Sequence, residues 1–395
     1  MNLSLIIFTL TLINFAFQLD FVILMPLGQS LMEMMKLSPT QYTAVVGVYT
    51  ISSGCSSLLF SLFGGEYNKK KLLLIFILLL GGSSFLTGRA SDFQTLFIIR
   101  LISGCFSGVI NPLIFAIASD VIPDDEKGKS MGWILTGFSF ASVLGIPFSI
   151  YIMDHFGFEL TFFIIGLFFI LTFIASLLFL PNRGIKAEKI KFKKLVSHFS
   201  QCLKNTSYVK GYLLLFFVSG AIFSIVSLIS PYAIKNMGMS LQNLEQMYFF
   251  GGLLTVVTSR FIGSMCDHFG EKRILNAIIA MSVIPVMIFV FSEKSSPLYF
   301  VVIGSLMMSL MSGLMVPSMT ISSRIPSVVD SSIYNGILNS VRCFGAGVFT
   351  FLSGSFVITD TDGALLNFYL VGVMYIILLF LSYLVGLMIP HPHEK

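Results

Sequence analysis

Gly263-Ser-Met-Cys-Asp267-His-Phe-Gly270-Glu-Lys272-Arg273 is a polar island between two long apolar runs, with glycines, an acid and two bases at fixed spacing. It reads as the end of one helix, a tight turn and the start of the next. Gly270 frees the backbone at the turn, Gly263 lets one helix approach another, and Asp267 is placed to meet a neighbouring helix N-terminus or a basic group.

The flanks make this turn a membrane loop. Of 395 residues, 55% are apolar and 11% charged, and mean hydropathy is +0.91, whereas soluble domains carry roughly 25% charge. Windows of about 20 residues predict twelve spans, near 4–28, 41–64, 72–88, 94–118, 131–153, 160–180, 211–234, 246–266, 274–292, 298–322, 333–357 and 364–389. The first run lacks a basic n-region and a small-residue cleavage site, which predicts a retained helix in place of a signal peptide. The bases set the orientation. Lys69–Lys71, Lys127, Lys129, the run from Arg183 to Lys210, Lys272, Arg273, Arg324 and Lys395 fall on the side of the N-terminus. Only Lys36, Arg89, Lys235 and Lys294 fall on the other side, which predicts both termini in the cytoplasm.

The two halves echo each other. Pro26 matches Pro231 and Pro112 matches Pro317, both at an offset of 205, while Asp120 and Arg324 end their spans 204 apart. The counterpart of the opening stretch is Ser61-Leu-Phe-Gly-Gly65-Glu-Tyr-Asn-Lys69-Lys-Lys71, where only the basic tail is kept. Span 4 carries Arg100-Leu-Ile-Ser-Gly104-Cys-Phe-Ser-Gly108 and Pro112; span 5 carries Gly137, Gly145 and Pro147.

Together these stretches resemble the major facilitator superfamily, whose loop pattern reads Gly-x-x-x-Asp-Arg-x-Gly-Arg-Arg/Lys. Gly263, Asp267, Gly270 and Lys272 match it, while His268 and Glu271 stand where arginine is usual. Span 5 resembles a reduced form of the glycine-proline motif of the drug:proton antiporters, with Phe148 and Ser149 departing from it. The resemblance implies an all-α membrane protein of twelve helices in two six-helix pseudo-repeats. The expected division is 1–181, a cytoplasmic basic linker 182–210, and 211–395, with a stretch from Ile190 to Phe199 suited to a basic amphipathic helix. It further implies a monomer working by alternating access, with Gly263, Asp267, Gly270, Lys272 and Arg273 as the conformational-switch motif, and, as a prior, a bacterial inner membrane.

The residues contain no nucleophile–base set, no metal-ligand cluster and no phosphate-cradling loop, so neither enzyme chemistry nor a cofactor or metal is expected. The five cysteines are scattered without pairing spacing. Charges inside spans are the informative residues. Asp20 in span 1 and Arg100 in span 4 fall at similar depth and should pair, either as a proton-coupling switch or as a static bridge between helices. Arg260 lies seven residues before Asp267 and is expected to snorkel or pair there. Arg342 in span 11 has no acid within its span, so a cavity-facing role stays open, and with it a positive field that favours an anionic or strongly polar substrate. Asn14, Gln18, Asn111, Asn335 and Asn339 are the polar residues expected near the substrate cavity. The expected function is proton-coupled export of a small organic molecule. The alternative is proton-coupled uptake of a nutrient or small organic anion, and a non-transporting membrane sensor is a further class.

Overall fold

The computed structural model describes residues 3–63, 68–123, 126–182, 199–292, 296–326 and 331–389. Twelve helices long and apolar enough to cross a membrane run through them. In chain order, spans 1 to 6 are Leu3–Val22, Pro39–Phe63, Lys69–Gly88, Phe93–Val121, Lys127–Phe156 and Phe158–Phe179. Spans 7 to 12 are Thr206–Val226, Leu241–Phe269, Glu271–Phe291, Pro297–Ser323, Ser331–Phe356 and Phe368–Met388. Apolar runs of this length fold as helices because a hydrocarbon surrounding offers no partner to backbone N–H and C=O groups other than the helix itself.

Several boundaries differ from the sequence expectation. Span 1 stops at Val22, and a short helix, Gly28–Met35, follows Pro26; span 7 is likewise followed by Ile229–Lys235, which holds Pro231. Span 7 starts at Thr206, so the linker expected to reach Lys210 ends earlier; the amphipathic stretch from Ile190 lies almost wholly outside the described residues. The start of the predicted twelfth span is taken by a hairpin of β1 (Ile358–Thr359) and β2 (Leu365–Leu366). Inside span 5 a π-helical turn, Ala141–Gly145, precedes Pro147. Proline has no N–H to donate and its ring opposes the carbonyl one turn back, so the helix relaxes there. At Gly270, φ is +86°, which lets span 8 reverse into span 9 across one residue.

The halves meet along two seams. Span 2 packs on span 11 and span 5 on span 8. A Cβ added at Gly47 would lie 2.9 Å from the Gly347 carbonyl oxygen, and one at Gly252 would lie 3.0 Å from that of Ser142.

The bundle has a basic face, where both ends of the described chain lie, and an opposite face. The span 2–span 11 seam continues to Gly336 on Ser61 near the basic face, and further ties between the halves lie at the opposite face. There Lys235 and Glu33 pair at 2.6 Å, Thr40 donates to the Gly354 carbonyl at 3.0 Å, and Phe21 meets Phe223 edge-on at 5.7 Å. The Tyr42 hydroxyl sits 3.0 Å from the Ser227 carbonyl and 3.1 Å from that of Leu24. At the basic face the ion pairs among the described residues stay within one half. Lys69 meets Asp120 at 2.5 Å and Glu271 meets Arg324.

The hydrogen bond from Lys235 holds the Glu33 carboxyl below its ordinary range. A lowered folded value means that the contact is present above the unfolded carboxylate value, about 4.3, and is lost as pH falls through the folded one. Glu33→Gln at neutral pH and acidification of the native protein should therefore loosen the same contact. Hydrogen exchange should rise in 28–36 and 229–236 in both cases, with other helices unchanged.

Candidate functional site

Asp20 lies two residues before the end of span 1, fully buried, and spans 2, 3 and 4 each supply it a partner. The Tyr49 hydroxyl donates to its Oδ2 at 2.9 Å and the Ser84 hydroxyl to its Oδ1 at 2.8 Å. Arg100, 1% exposed, places Nη1 at 3.6 Å from Oδ2 and donates from Nη2 to the Asp20 carbonyl oxygen at 3.1 Å. Its guanidinium lies 3.9 Å above the Tyr49 ring, so a cation–π contact adds to the ion pair. Nε and Nη1 of Arg100 have no hydrogen-bond partner. The ion pair is thus loose, and both carboxylate oxygens are held by hydroxyls.

Close helix packing builds this cluster. A Cβ at Gly108 would sit 2.1 Å from the Ser53 carbonyl oxygen, and one at Gly104 would sit 2.4 Å from that of Tyr49. Span 4 therefore lies against span 2 at backbone distance, which brings Arg100 under Tyr49.

A second polar group lies on the span 2–span 11 seam. Arg342 donates from Nη2 to Asn339 Oδ1 at 3.0 Å, and Asn339 donates from Nδ2 to Ser57 Oγ at 2.9 Å. The faces of span 11 differ in what they meet. Gly336, Cys343, Gly347 and Gly354 meet span 2, while Gly345 and Phe349 meet span 7. One remaining face carries exposed Val348, Phe351 and Ser355. The other carries Ser353, Thr350 and Ala346, all buried, then half-buried Arg342 and Asn339, then exposed Asn335. On that face Thr350 donates to the Phe223 carbonyl of span 7 at 3.2 Å, and exposure rises from there toward the basic face. Arg342 sits about 16 Å along the helix from Ser331 at 1.5 Å per residue, near the middle of a hydrocarbon core of about 30 Å.

The other expected residues divide. Asn14 is not a cavity residue: it is buried between spans 1 and 5 and donates to the Ile134 carbonyl at 2.8 Å. Interhelical hydrogen bonding, where hydrocarbon offers no other partner, accounts for it. Gln18 and Asn111 are half-buried. The loop motif is corrected in three places. Gly263 has nothing within 4 Å of an added Cβ, so it mediates no close helix approach. Asp267 and Arg260 are both exposed and do not pair with each other. The acid that acts is Glu271, paired with Arg324, while Lys272 caps the Ile389 carbonyl. A recess that sequence reading missed, about 680 Å³, lies between spans 1, 5 and 6, under Trp133, Phe140 and Phe168. Its apolar lining looks like any lipid-facing surface in a sequence. Among the described residues no group of three or more His, Cys, Asp or Glu is placed to hold a metal ion.

The family model for the Major Facilitator Superfamily matches residues 10–350. Multidrug resistance protein MdtG of Rahnella sp. is 25% identical over 248 residues, 60% of this chain and 59% of that protein. A vacuolar membrane amino acid uptake transporter of Schizosaccharomyces pombe is 29% identical over 167 residues, 41% of this chain and 28% of that protein. The chain spans less than two thirds of the length of the first curated relatives it matches. The crystal structure of the nucleoside transporter NupG superposes with a TM-score of 0.76 at 13% identity, covering 98% of this chain and 99% of that one. At that identity the likeness is one of fold.

Proposed function

This chain belongs to the major facilitator superfamily, and from that premise we propose that it is a proton-coupled exporter of a small organic molecule working by alternating access. It is a membrane transporter and not an enzyme. The observation that carries proton coupling is the buried Asp20, held by Tyr49, Ser84 and Arg100 from three different helices. A carboxylate in that setting has two states with different helix contacts. Charged, it binds Arg100 and accepts from both hydroxyls. Protonated, it releases the charge attraction and leaves Arg100 buried beside the Tyr49 ring. Helices 1, 2, 3 and 4 then prefer a different packing, and a proton becomes a lever on the half that carries it.

Export is supported by the drug-resistance relative and the reduced antiporter motif of span 5. The basic face is taken as cytoplasmic, with both termini there and the membrane a bacterial inner membrane, so the ties at the opposite face make this an inward-open arrangement. The protein works as a monomer whose partners are its substrate, protons and lipid. Gln18, Asn111, Asn339 and Arg342 are the residues proposed to face the cavity.

Arg342 favours a second reading, proton-coupled uptake of an organic anion. Protonating Asp20 removes a negative charge from the interior and makes it more attractive to an anion, so proton and anion would bind together. Inside-out vesicles separate the readings. Substrate-driven proton release from the lumen marks export by antiport; proton movement in the same direction as the substrate marks symport and overturns it.

A further inference from the structure

We infer that the substrate carries an acidic group, and that Arg342, aimed by Asn339, is the side chain that receives it. This rests on the transporter reading and not on the direction of transport.

Arg100 and Arg342 both lie within spans, and they are treated differently. Arg100 has Asp20 beside it, so the first cluster carries no net charge while Asp20 is ionised. Arg342 has no acidic side chain within ion-pair distance among the described residues. Among the described residues its side chain bonds to a neutral amide, which is itself anchored to Ser57. That relay orients the guanidinium without neutralising it. Arginine offers five N–H donors, and one is used here.

A permanent charge at mid-span is costly. Orienting span 11 does not require it, because Asn339 already ties that helix to span 2 through Ser57. Snorkelling does not bring it to the interface: the half-buried side chain bonds to Asn339, which still lies about 12 Å along the helix from Ser331 at 1.5 Å per residue. A half-buried fork of donors, oriented by Asn339 and not neutralised by it, matches a carboxylate, sulfonate or phosphonate. Planar guanidinium pairs with such groups through two parallel hydrogen bonds. Relatives described as acting on drugs and amino acids leave this charge class open.

The test uses the full chain in nanodiscs and a series of one shape and different charge: benzoate, benzenesulfonate, benzylphosphonate, benzamide and benzylammonium. Thermal stabilisation reports binding, because a ligand that binds only the folded state raises its stability. The anions should stabilise the native protein, and the amide and ammonium should not. Arg342→Gln should weaken anion binding by roughly tenfold or more, the loss expected for one charge-assisted hydrogen bond. Arg342→Lys, which keeps the charge and loses the fork, should retain part of it, and the unfolding temperature of each variant without ligand shows that it is folded. Equal stabilisation by benzamide or benzylammonium, no stabilisation by any anion, or unchanged anion binding in Arg342→Gln would each overturn the inference. The same proteins are assayed for pH-gradient-driven flux of a wider library in vesicles. Flux of neutral or cationic compounds alone removes the acidic substrate and keeps the transporter; no flux of any compound removes the transporter reading itself.

Discussion

Replacing Asp20 with Asn is expected to abolish accumulation of substrate against a gradient while leaving downhill exchange of the same compound intact. In reconstituted vesicles with a one-unit pH gradient, coupling to one proton supports about tenfold accumulation, since one pH unit corresponds to 1.36 kcal/mol. The variant should reach equality and stop. The amide keeps the size of the carboxylate and still accepts from the Tyr49 or Ser84 hydroxyl, so the local shape is held. What it lacks is a second protonation state. It also leaves Arg100 buried without an ion-pair partner, a loss of about 3–5 kcal/mol in comparable cases, and a poorly folded variant would mimic a coupling defect. The double variant Asp20→Asn with Arg100→Gln removes both charges and should regain stability without regaining uphill transport. Accumulation by either variant at the native level would assign Asp20 and Arg100 a purely structural role and place the proton route elsewhere.

Gly108→Ala should be the most damaging glycine-to-alanine change among the described residues. The added Cβ would lie 2.1 Å from the Ser53 carbonyl oxygen and 2.2 Å from Ser56 Oγ. A hydroxyl can rotate away, but a backbone carbonyl inside a helix cannot, so spans 2 and 4 must separate. Overpacking of this kind costs about 1–3 kcal/mol, occasionally more. Separation also lifts Tyr49 from Arg100, so the defect should reach function. Unfolding temperature in detergent should drop, and proton coupling should weaken in whatever fraction remains folded. Gly263→Ala is the control. It is also a helical glycine, in the family motif, yet nothing lies within 4 Å of its added Cβ, and the change should be neutral to slightly stabilising because alanine favours the helix. Equal unfolding temperatures for the two variants would contradict the packing described for spans 2 and 4.

Much of this was legible in the chain. Uninterrupted apolar length announces a membrane helix one segment at a time, so all twelve spans could be read without knowing what packs on what. The pairing of Asp20 with Arg100 was legible for a related reason: two opposite charges at equal depth in hydrocarbon have few other partners. Tyr49 and Ser84 were not. A tyrosine or serine in a span carries no sign of which neighbour its hydroxyl will meet, and it is the crossing of spans 2 and 3 with span 1 that brings them to Asp20. The same limit misplaced Asn14, whose residue type suits a cavity equally well. Its position against Gly137 on span 5 turned it into a bridge between helices. The family loop motif misled in the opposite way. Asp267 matched a pattern, whereas Glu271, a departure from that pattern, holds the Arg324 pair.

Composition and spacing alone therefore determined that the chain is a bundle of twelve membrane helices in two related halves, with its bases gathered on one side. Hydrophobic length and charge asymmetry are local properties and need no folded partner to be read. Only the tertiary structure decided which buried polar groups meet, that Arg342 bonds to a neutral amide, and which contacts tie the two halves. Those depend on how each helix is rotated about its axis, and rotation is set by contacts between helices distant in sequence, such as Gly108 on Ser53 and Gly47 on Gly347.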